Sequence, residues 1–481
     1  MKIDLSNNFE MHNVVKDGRG ELRTRRGFAN HLLATAGTSF VAAFTIESPN
    51  TTEPWHYLFS RDDVTGDVTL KVLTEEYVEL FTSACGTCPR DVVISMAVVN
   101  RQLVFNSPSF SQPIYGYVGG GLIPMLRIAS DLESTTSLDI PTGHVASFGD
   151  RLVIVQGSLA YVNDARQDLD PRSFTAQNSF AVPGSIYDAF QGEDGGLFLF
   201  TSDGCYVLPV DATGQGQISG FLSKVSPNIV TSAAKNAAPT AAGVVVLQKD
   251  GVLVVNGASQ QVLPLPKFEG RRKLSRSIDV DDLRTFGSVY PTPTGALVGF
   301  SRRDYHLLID LRAGSFSWIF GGSSKPLVGV LMSRDGEPIH VFSDRIAAMV
   351  CTGPTDNDGS SISGMLCGKI AVDIGDDPLI RRVTVAAANA GESIGCAVAP
   401  NIDAGNMSPM MRGDFVIGSS VWDEEGPTLQ GRSTHSTRMT VNVRSTEPHL
   451  EVVVGGGNRR IKSQAELQAG GLSRGRKDKQ E

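Results

Sequence analysis

Short runs of alternating apolar and polar residues dominate the chain. Within residues 149–164, a turn at Gly149-Asp150 precedes the run Leu152–Val155, and a second turn at Gly157-Ser158 precedes the run Leu159–Val162. A period of two, interrupted by tight glycine turns, predicts a β-hairpin. Because an isolated hairpin is only marginally stable in water, we expect this one to pack within a larger assembly of strands.

The same pattern recurs through the first 350 residues. Related units occupy residues 40–73, 98–107, 190–211, 240–257, 294–321 and 326–351. Their centres lie roughly forty to fifty residues apart, which is the length of a four-stranded propeller blade. We therefore predict an all-β chain in which residues 31–351 form a β-propeller of about six or seven blades. Helical spacing of apolar residues is scarce, and the two best helix candidates are residues 74–84 and 463–470.

The pattern changes after residue 351. Residues 352–364 are polar and rich in glycine, which predicts a linker. Longer alternating runs follow, and they predict a smaller antiparallel β-sandwich or barrel domain over residues 365–456. Residues 1–30 are expected to form an extended N-terminal arm, and residues 457–481 a basic, flexible tail.

Charge is distributed unevenly along the 481 residues. The formal net charge is −8, but residues 458–481 carry seven Lys/Arg against three Asp/Glu, or +4, which leaves −12 for the rest of the chain. A basic end of this kind is typical of a solvated terminus. An arm that contacts nucleic acid or an acidic partner is the alternative.

The sequence contains no recognisable catalytic motif. The eight histidines form no local cluster, and the GxSxG, HExxH and Walker patterns are missing. Cys85 and Cys88 have the spacing of half a zinc site, but no second pair of ligands follows at a suitable spacing, so we expect two reduced cysteines in a loop. We predict no enzyme activity, no catalytic residue, no metal and no cofactor, although a site assembled from distant blades would leave no motif.

Apolar stretches are short everywhere in the chain. None reaches the eighteen residues of a membrane-spanning segment, so no membrane segment is predicted. The first twenty residues lack the apolar core of a signal peptide, so Sec export is not expected.

Three stretches resemble one family. Residues 17–29 contain a basic turn, Arg23-Thr-Arg25-Arg26-Gly27-Phe28, and this resembles the short arm and Arg-x-Gly turn that open tail proteins of short-tailed bacteriophages. Residues 159–211 and 225–255 are similar to the succession of strands and turns in the same proteins. The resemblance covers roughly residues 15–350 and points to the β-propeller family of tail-nozzle and head-to-tail (packaged-DNA stabilisation type) structural proteins.

The resemblance implies a role in the virion. The chain would form a ring in the phage tail, a hexamer of propellers below the portal and adaptor, through which genomic DNA is retained and then ejected. It would be assembled in the host cytoplasm, contact its own copies, the portal or adaptor and other tail proteins, and touch double-stranded DNA transiently in the channel. The family brings no catalytic residues. The acidic charge of the chain outside its basic tail is consistent with a channel that does not bind the DNA phosphates tightly.

Five arginines are the candidate contact residues. Arg23, Arg25 and Arg26 could anchor the arm to a neighbouring subunit or adaptor through guanidinium–carboxylate pairs, or they could form a solvated turn. Arg459 and Arg460 are candidate contacts with other tail proteins.

Two other classes of function stay open. A propeller at a tail tip or cell surface that recognises a glycan or protein receptor would gather aromatic residues on one face. A propeller glycosidase or lyase would bring carboxylates or histidines together around a central pocket.

Overall fold

The computed structural model describes part of the chain, and within that part almost all regular structure is β. The described residues are 2–4, 9–16, 21–47, 53–89, 91–99, 102–110, 114–117, 126–128, 142–149, 151–163, 179–192, 195–208, 222–226, 228–249, 251–256, 259–264, 283–301, 303–353, 355–369, 379–388, 394–399, 434–444, 449–455, 459–461 and 464–470. A single four-residue helix occurs among them, α1 (Leu283–Phe286). None of the described helices is long and apolar enough to cross a membrane.

Thirty-nine strands occur in the described residues. The first five are β1 (Lys2–Asp4), β2 (Glu10–His12), β3 (Val14–Lys16), β4 (Leu22–Thr24) and β5 (Gly27–Leu33). The next sixteen are β6 (Thr38–Glu47), β7 (Pro54–Asp62), β8 (Asp67–Leu73), β9 (Glu79–Thr87), β10 (Ser95–Val99), β11 (Gln102–Asn106), β12 (Ile114–Tyr117), β13 (Leu126–Ile128), β14 (His144–Phe148), β15 (Arg151–Gln156), β16 (Leu159–Val162), β17 (Ser179–Ala181), β18 (Ile186–Gln191), β19 (Leu197–Thr201), β20 (Cys205–Leu208) and β21 (Ser223–Ser226).

The remaining strands complete the second half of the chain. They are β22 (Ala237–Thr240), β23 (Gly243–Leu247), β24 (Gly251–Asn256), β25 (Ser259–Pro264), β26 (Gly287–Thr292), β27 (Gly295–Phe300), β28 (Tyr305–Asp310), β29 (Ser315–Phe320), β30 (Leu327–Met332), β31 (Pro338–Phe342), β32 (Arg345–Cys351), β33 (Ser363–Lys369), β34 (Leu379–Ala388), β35 (Ile394–Ala399), β36 (Thr434–Arg444), β37 (His449–Gly455), β38 (Arg460–Ile461) and β39 (Gln464–Gly470).

Strands β5 to β32 form the seven blades of a β-propeller. Blades 1 to 6 are successive groups of four antiparallel strands, from β6–β9 to β26–β29. Blade 7 takes β30, β31 and β32 from the end of this region and β5 from the N-terminal side. Strand β5 pairs antiparallel with β32, with Phe28 opposite Met349 and Leu32 opposite Ile346. The first and last parts of the propeller therefore close the ring through hydrogen bonds, and the predicted all-β propeller is confirmed.

The core consists of apolar layers between consecutive blades. Alternation places one face of each strand against the preceding blade and the other face against the following one. Leu103 and Phe105 of blade 2, for example, pack on Tyr57 and Phe59 of blade 1. Seven such clusters join the described blades in sequence, and one of them joins Phe40 of blade 1 to blade 7. The first and last blades therefore pack against each other in the same way as any other neighbouring pair of blades.

The strands outside the propeller come from both ends of the chain. Blade 6 continues beyond β29 through β2, β33, β37 and β35, which makes an eight-stranded sheet. A second sheet has the order β1-β39-β34-β38-β4-β3, and β36 also pairs with β34. The antiparallel strands that the sequence placed in a C-terminal domain are thus present, but they share their sheets with the N-terminal strands and with blade 6.

Several local expectations differ from the structure. The region expected as an extended arm, residues 1–30, contains five strands, and the last of them belongs to blade 7. The region expected as a flexible tail contains β38 and β39, which pair with other strands; residues 471–481 lie outside the described part. Neither helix candidate is helical: the segment 74–84 falls on a turn and the first part of β9, and residues 464–470 form β39. Cross-strand pairing and burial override weak local helix preference at these positions.

Candidate functional site: the junction of the terminal strands

Two of the predicted contact residues, Arg23 near the start of the chain and Arg460 near its end, lie on adjacent strands. Strands β4 and β38 pair antiparallel, and Arg23 stands opposite Arg460. The main-chain N–H of Thr24 donates to the carbonyl of Arg459 at 2.8 Å, and the N–H of Arg459 donates to Thr24 Oγ1 at 2.6 Å. The two ends of the chain are therefore held together by main-chain hydrogen bonds.

Arg25 is an internal residue of this junction. Its side chain is 2% exposed, and its two Nη atoms donate to the two carboxylate oxygens of Asp356, each at 2.8 Å. The remaining donors bond to Asn13 Oδ1 at 3.0 Å and to the carbonyls of Phe320 and Arg26. The guanidinium also lies over the ring of Phe28, 4.8 Å from its centroid.

This position corrects one candidate contact. Arg25 is predicted either to pair with a carboxylate of a neighbouring subunit or adaptor or to lie in a solvated turn, but its guanidinium is buried and binds Asp356 of the same chain. Asp356 also accepts the main-chain N–H of Phe28 at 2.8 Å. Asp356 lies in the region expected as a polar linker, yet the residue is buried. Residues 355–362 therefore anchor the start of blade 7 to the terminal strands.

Three of the other four arginines, Arg23, Arg26 and Arg460, are accessible to solvent. The side chains of Arg23 and Arg460 are 38% and 56% exposed, and both form ion pairs with Glu21. Arg459 is half-buried, and Arg26 is exposed a short distance along the chain. We call Arg23, Arg459 and Arg460 the terminal arginine cluster. With Glu21 it has a formal charge of +2, on a surface whose backbone is fixed by strand pairing.

The glycines after β29 make room for this junction. Gly321 has φ of +99°, and a Cβ at that position would meet the guanidinium of Arg25 and the carboxylate of Asp356. A side chain there would have to displace the ion pair, and the left-handed backbone would add strain.

A second group of polar side chains lies where the blades meet at the centre of the propeller. Lys235 precedes β22 of blade 5, and its Nζ is 5.8 Å from the ring centroid of Phe44 in blade 1 and 5.5 Å from that of Tyr290 in blade 6. Its side chain thus reaches across the central channel. Asp188 of blade 4 accepts the main-chain N–H groups of Lys235 at 2.9 Å and Ala237 at 3.2 Å.

Burial perturbs the pKa values in this channel. Desolvation lowers the pKa of Lys235 to about 8, while the Asp188 charge acts in the opposite direction. Desolvation raises the pKa of Asp188 to about 7, against the effect of the N–H donors that it accepts. The pKa of His144 falls to about 4, through desolvation and then through the charge of Lys235. Perturbed groups in a central channel are typical of ligand or catalytic sites, but here both oxygens of Asp188 already accept main-chain hydrogen bonds.

The Cys85–Cys88 pair forms no metal site of three or more residues within the described part of the chain. Cys85 lies on β9 and Cys88 just after it. Burial raises the pKa of the Cys85 thiol to about 11, which disfavours the thiolate that a metal or a redox reaction needs.

The arginines can be identified from the sequence, but the carboxylate that binds Arg25 cannot. Asp356 stands in a polar Asp-Asn-Asp-Gly stretch that reads as a turn, and nothing local links it to Arg25, 331 positions earlier. The channel residues could not be predicted for the same reason, because Phe44, Lys235 and Tyr290 come from three different blades and nothing local links them. The Lys-Asn-Ala loop that contains Lys235 carries no motif.

Comparisons with known proteins give matches only among solved structures. No protein-family model matches the chain, and no curated protein does. A streptogramin B lyase structure matches 67% of this chain and 97% of its own at 9% identity, with a TM-score of 0.42. The WD40 β-propeller domain of Doa1 matches 67% of this chain and 96% of its own, at 11% identity and a TM-score of 0.38. The Neurospora crassa Pan2 WD40 domain matches 68% and 96%, at 10% identity and a TM-score of 0.36. The chain is an all-β protein with a β-propeller fold.

Proposed function

We propose that the chain is a non-enzymatic structural protein of a virion, which forms a ring in a phage tail as a nozzle or head-to-tail connector. Genomic DNA would be retained and then ejected through this ring, and the ring would be assembled in the host cytoplasm. The resemblance of roughly residues 15–350 to the tail-nozzle family is the starting point. The structural observation that carries the proposal furthest is the terminal arginine cluster, fixed at the junction of both chain ends.

The cluster suits contact between copies of the chain. Strand pairing fixes the backbone that carries these cations, so docking would have to order only their side chains. The chain outside its last 24 residues is acidic, with a formal charge of −12. A basic surface on one copy and an acidic surface on the next give a heterologous contact, and contacts of this type close into rings. Arg26, which is exposed near the cluster, would extend the basic surface.

The path of DNA in this proposal lies between copies. Within one propeller, Lys235 of blade 5 approaches rings of blades 1 and 6 within 6 Å. A channel crossed by a side chain at this distance does not admit duplex DNA, whose major groove alone is about 12 Å wide. A ring of propellers would instead enclose the lumen with the outer surfaces of its subunits.

Charge reversal tests the proposal. The triple variant Arg23→Glu, Arg26→Glu, Arg460→Glu should fold but fail to form rings, alone or with portal and adaptor, in size-exclusion chromatography with light scattering. Arg312→Glu is the matched control, because Arg312 is an exposed arginine on the β28–β29 turn, away from the junction. Rings formed equally by the triple variant and by the control would contradict the assigned contact.

The alternative is a binding module at a tail tip or surface that recognises a glycan or protein receptor. The channel group of Lys235, His144 and Asp188 is the observation in its favour, because it offers charged and polar atoms beside the aromatic rings of Phe44 and Tyr290. Trp55 and Trp318 are buried in the blades and cannot stack on a sugar. A glycan array probed with the wild-type chain and with Lys235→Met would support this alternative if binding occurred and was lost in the variant.

A further inference from the structure

The structure places a carboxylate, an imidazole and a thiol together where the N-terminal strand β2 joins the C-terminal strand β33. Glu10 and His12 are two residues apart on β2, so both side chains are on the same face of the sheet. Cys367 stands directly opposite Glu10 in the antiparallel pairing and shares that face. Register alone therefore brings the three side chains together, and their ligand atoms lie within 4.8 Å of one another.

All three side chains are buried. Glu10 is 4% exposed, His12 0% and Cys367 1%. His12 Nε2 lies 2.7 Å from Glu10 Oε1, the Cys367 thiol donates to the main-chain carbonyl of Glu10 at 3.9 Å, and the His12 ring stacks on Phe320 at 5.5 Å between centroids. A carboxylate in such a place has a large desolvation cost unless its charge is compensated.

We propose that Glu10, His12 and Cys367 bind one transition-metal ion, with zinc as the expected occupant. One carboxylate oxygen, one imidazole nitrogen and one thiolate are the donor types that zinc takes in proteins. The thiolate selects against magnesium and calcium, which prefer oxygen ligands. With the thiol deprotonated, the charges of Glu10 and Cys367 balance those of a divalent ion, so that no net charge is buried.

The distances fit with small adjustments. Zinc–ligand bonds of about 2.0–2.3 Å put tetrahedral ligand atoms roughly 3.3–3.8 Å apart. His12 Nε2 and Glu10 Oε1 would separate by roughly 0.6–0.8 Å from their present contact of 2.7 Å, and Cys367 Sγ already lies within 4.8 Å of both ligand atoms. The ion would replace the hydrogen bond between Glu10 and His12 with two metal–ligand bonds.

Such an ion would tie the two ends of the chain to the propeller. Strand β2 pairs with β29 of blade 6 on one side and with β33 on the other. Because the ligands come from both strands, metal binding would be coupled to docking of the N-terminal strand, as in other sites that form only on folding. The ion would stabilise the docked N-terminal strand, and this effect does not depend on a role in a tail ring.

Cobalt provides the direct test. The full chain is unfolded with chelator and reductant, then refolded with Co²⁺, which gives a near-ultraviolet charge-transfer band only when a thiolate is bound to the metal. We expect one Co²⁺ per chain with this band, displaced by Zn²⁺, and the band should vanish in Cys367→Ala. The Cys85→Ala, Cys88→Ala double variant is the matched control and should keep the band.

A second variant covers the case in which Cys367→Ala does not fold. Glu10→Gln keeps the size of the side chain and the thiolate but removes the charge, and it should weaken Co²⁺ binding by more than about 100-fold. Wild-type protein that refolds without taking up Co²⁺, or a band that survives Cys367→Ala and disappears in the Cys85/Cys88 variant, would overturn the proposal. In that case Glu10 and His12 form a metal-free buried pair.

Discussion

Arg25 and Asp356, which are 331 positions apart in the sequence, form a two-pronged ion pair inside the protein. Both side chains are 2% exposed, and the two N–O distances are 2.8 Å. The pair joins the segment that enters blade 7 at Gly27 to the loop that leaves it after Cys351. It therefore fastens the closing blade of the propeller at the point where the terminal strands begin.

Breaking this pair should destabilise the protein strongly. Arg25→Met leaves the carboxylate of Asp356 buried and unpaired, and we expect a loss of about 3–5 kcal/mol in the free energy of unfolding. Urea denaturation followed by circular dichroism measures it. The control Arg26→Met, at an exposed neighbouring arginine, should change stability by less than about 0.5 kcal/mol. Equal effects of the two variants would contradict the buried role of Arg25.

A double variant measures the interaction energy between Arg25 and Asp356. Arg25→Met with Asp356→Leu removes both charges, so it should be more stable than Arg25→Met alone. A double variant that loses the sum of the two single effects would show that the residues act independently.

Gly321 should be intolerant of a side chain. Gly321→Ala forces a methyl group toward the Arg25–Asp356 pair at φ of +99°, and we expect a loss of about 2–4 kcal/mol from strain and the disturbed ion pair. Gly314→Ala is the matched control, because Gly314 also has positive φ, +60°, but a Cβ there would have no atom within 4 Å. The control should cost only about 1 kcal/mol. Thermal unfolding of both variants gives the comparison, and indistinguishable melting temperatures would refute the crowding at Gly321.

Acid should destabilise the propeller through histidines between blades 6 and 7. His306 and His340 are fully buried, with ring centroids 4.9 Å apart, and neither has a hydrogen-bond partner among the described residues. Burial, and then the charge of Arg25, lowers the pKa of His340 to about 3; burial, His340 and Arg25 together hold the pKa of His306 well below its usual value. Histidine in the unfolded chain titrates near pH 6.5. Below that pH the unfolded state binds more protons than the folded state, so stability decreases as the pH is lowered.

Each of these histidines should make the free energy of unfolding fall by about 1.4 kcal/mol for every pH unit of acidification between pH 6.5 and its folded-state pKa. Asp188 opposes it: with its pKa raised from 3.8 to about 7, the folded state binds the extra proton, so stability rises as pH falls through that window. Urea denaturation at several pH values should show a smaller dependence of the free energy of unfolding on pH in His340→Leu than in the wild type. An unchanged slope in His340→Leu would mean that His340 is not held neutral.

The pKa of Lys235 should depend on its neighbour in the channel. The charge of Asp188 raises the pKa of Lys235 against the stronger effect of desolvation, so Asp188→Asn should lower it below about 8. Reductive methylation with ¹³C-formaldehyde followed by NMR titration gives the pKa of the labelled amine in both proteins. Lys249→Arg is a suitable control, since it removes a different lysine and should leave the resonance of Lys235 unchanged. A Lys235 pKa near the ordinary lysine value of 10.5 would contradict its desolvated position across the channel.

Local pattern was enough to predict the hairpins of the blades. The alternation of Leu152–Val155 and Leu159–Val162 and the glycine turn between them correspond to β15 and β16, which pair as expected. Each such strand has its partner a few residues away, so its signal is contained in one short stretch. The propeller follows because many hairpins of similar length can bury their apolar faces only against one another.

The terminal sheets could not be predicted in the same way. Strand β2 has three residues, and its partners Ser317 and Leu366 are about 300 or more positions away, so no periodicity reveals it. The segment 74–84 misled for a different reason: its apolar residues have helical spacing, but Leu80 and Phe81 pack on the layer between blades 1 and 2 as part of a strand. Long-range pairing decided the outcome at both places.

The most direct test of the proposed ring is negative-stain electron microscopy of the purified chain, alone and mixed with portal and adaptor proteins. The account predicts closed rings with a central lumen, built from several propellers and abolished by the Arg23→Glu, Arg26→Glu, Arg460→Glu variant but not by Arg312→Glu. Single propellers that stay monomeric under all these conditions, with wild-type and variant particles alike, would contradict it.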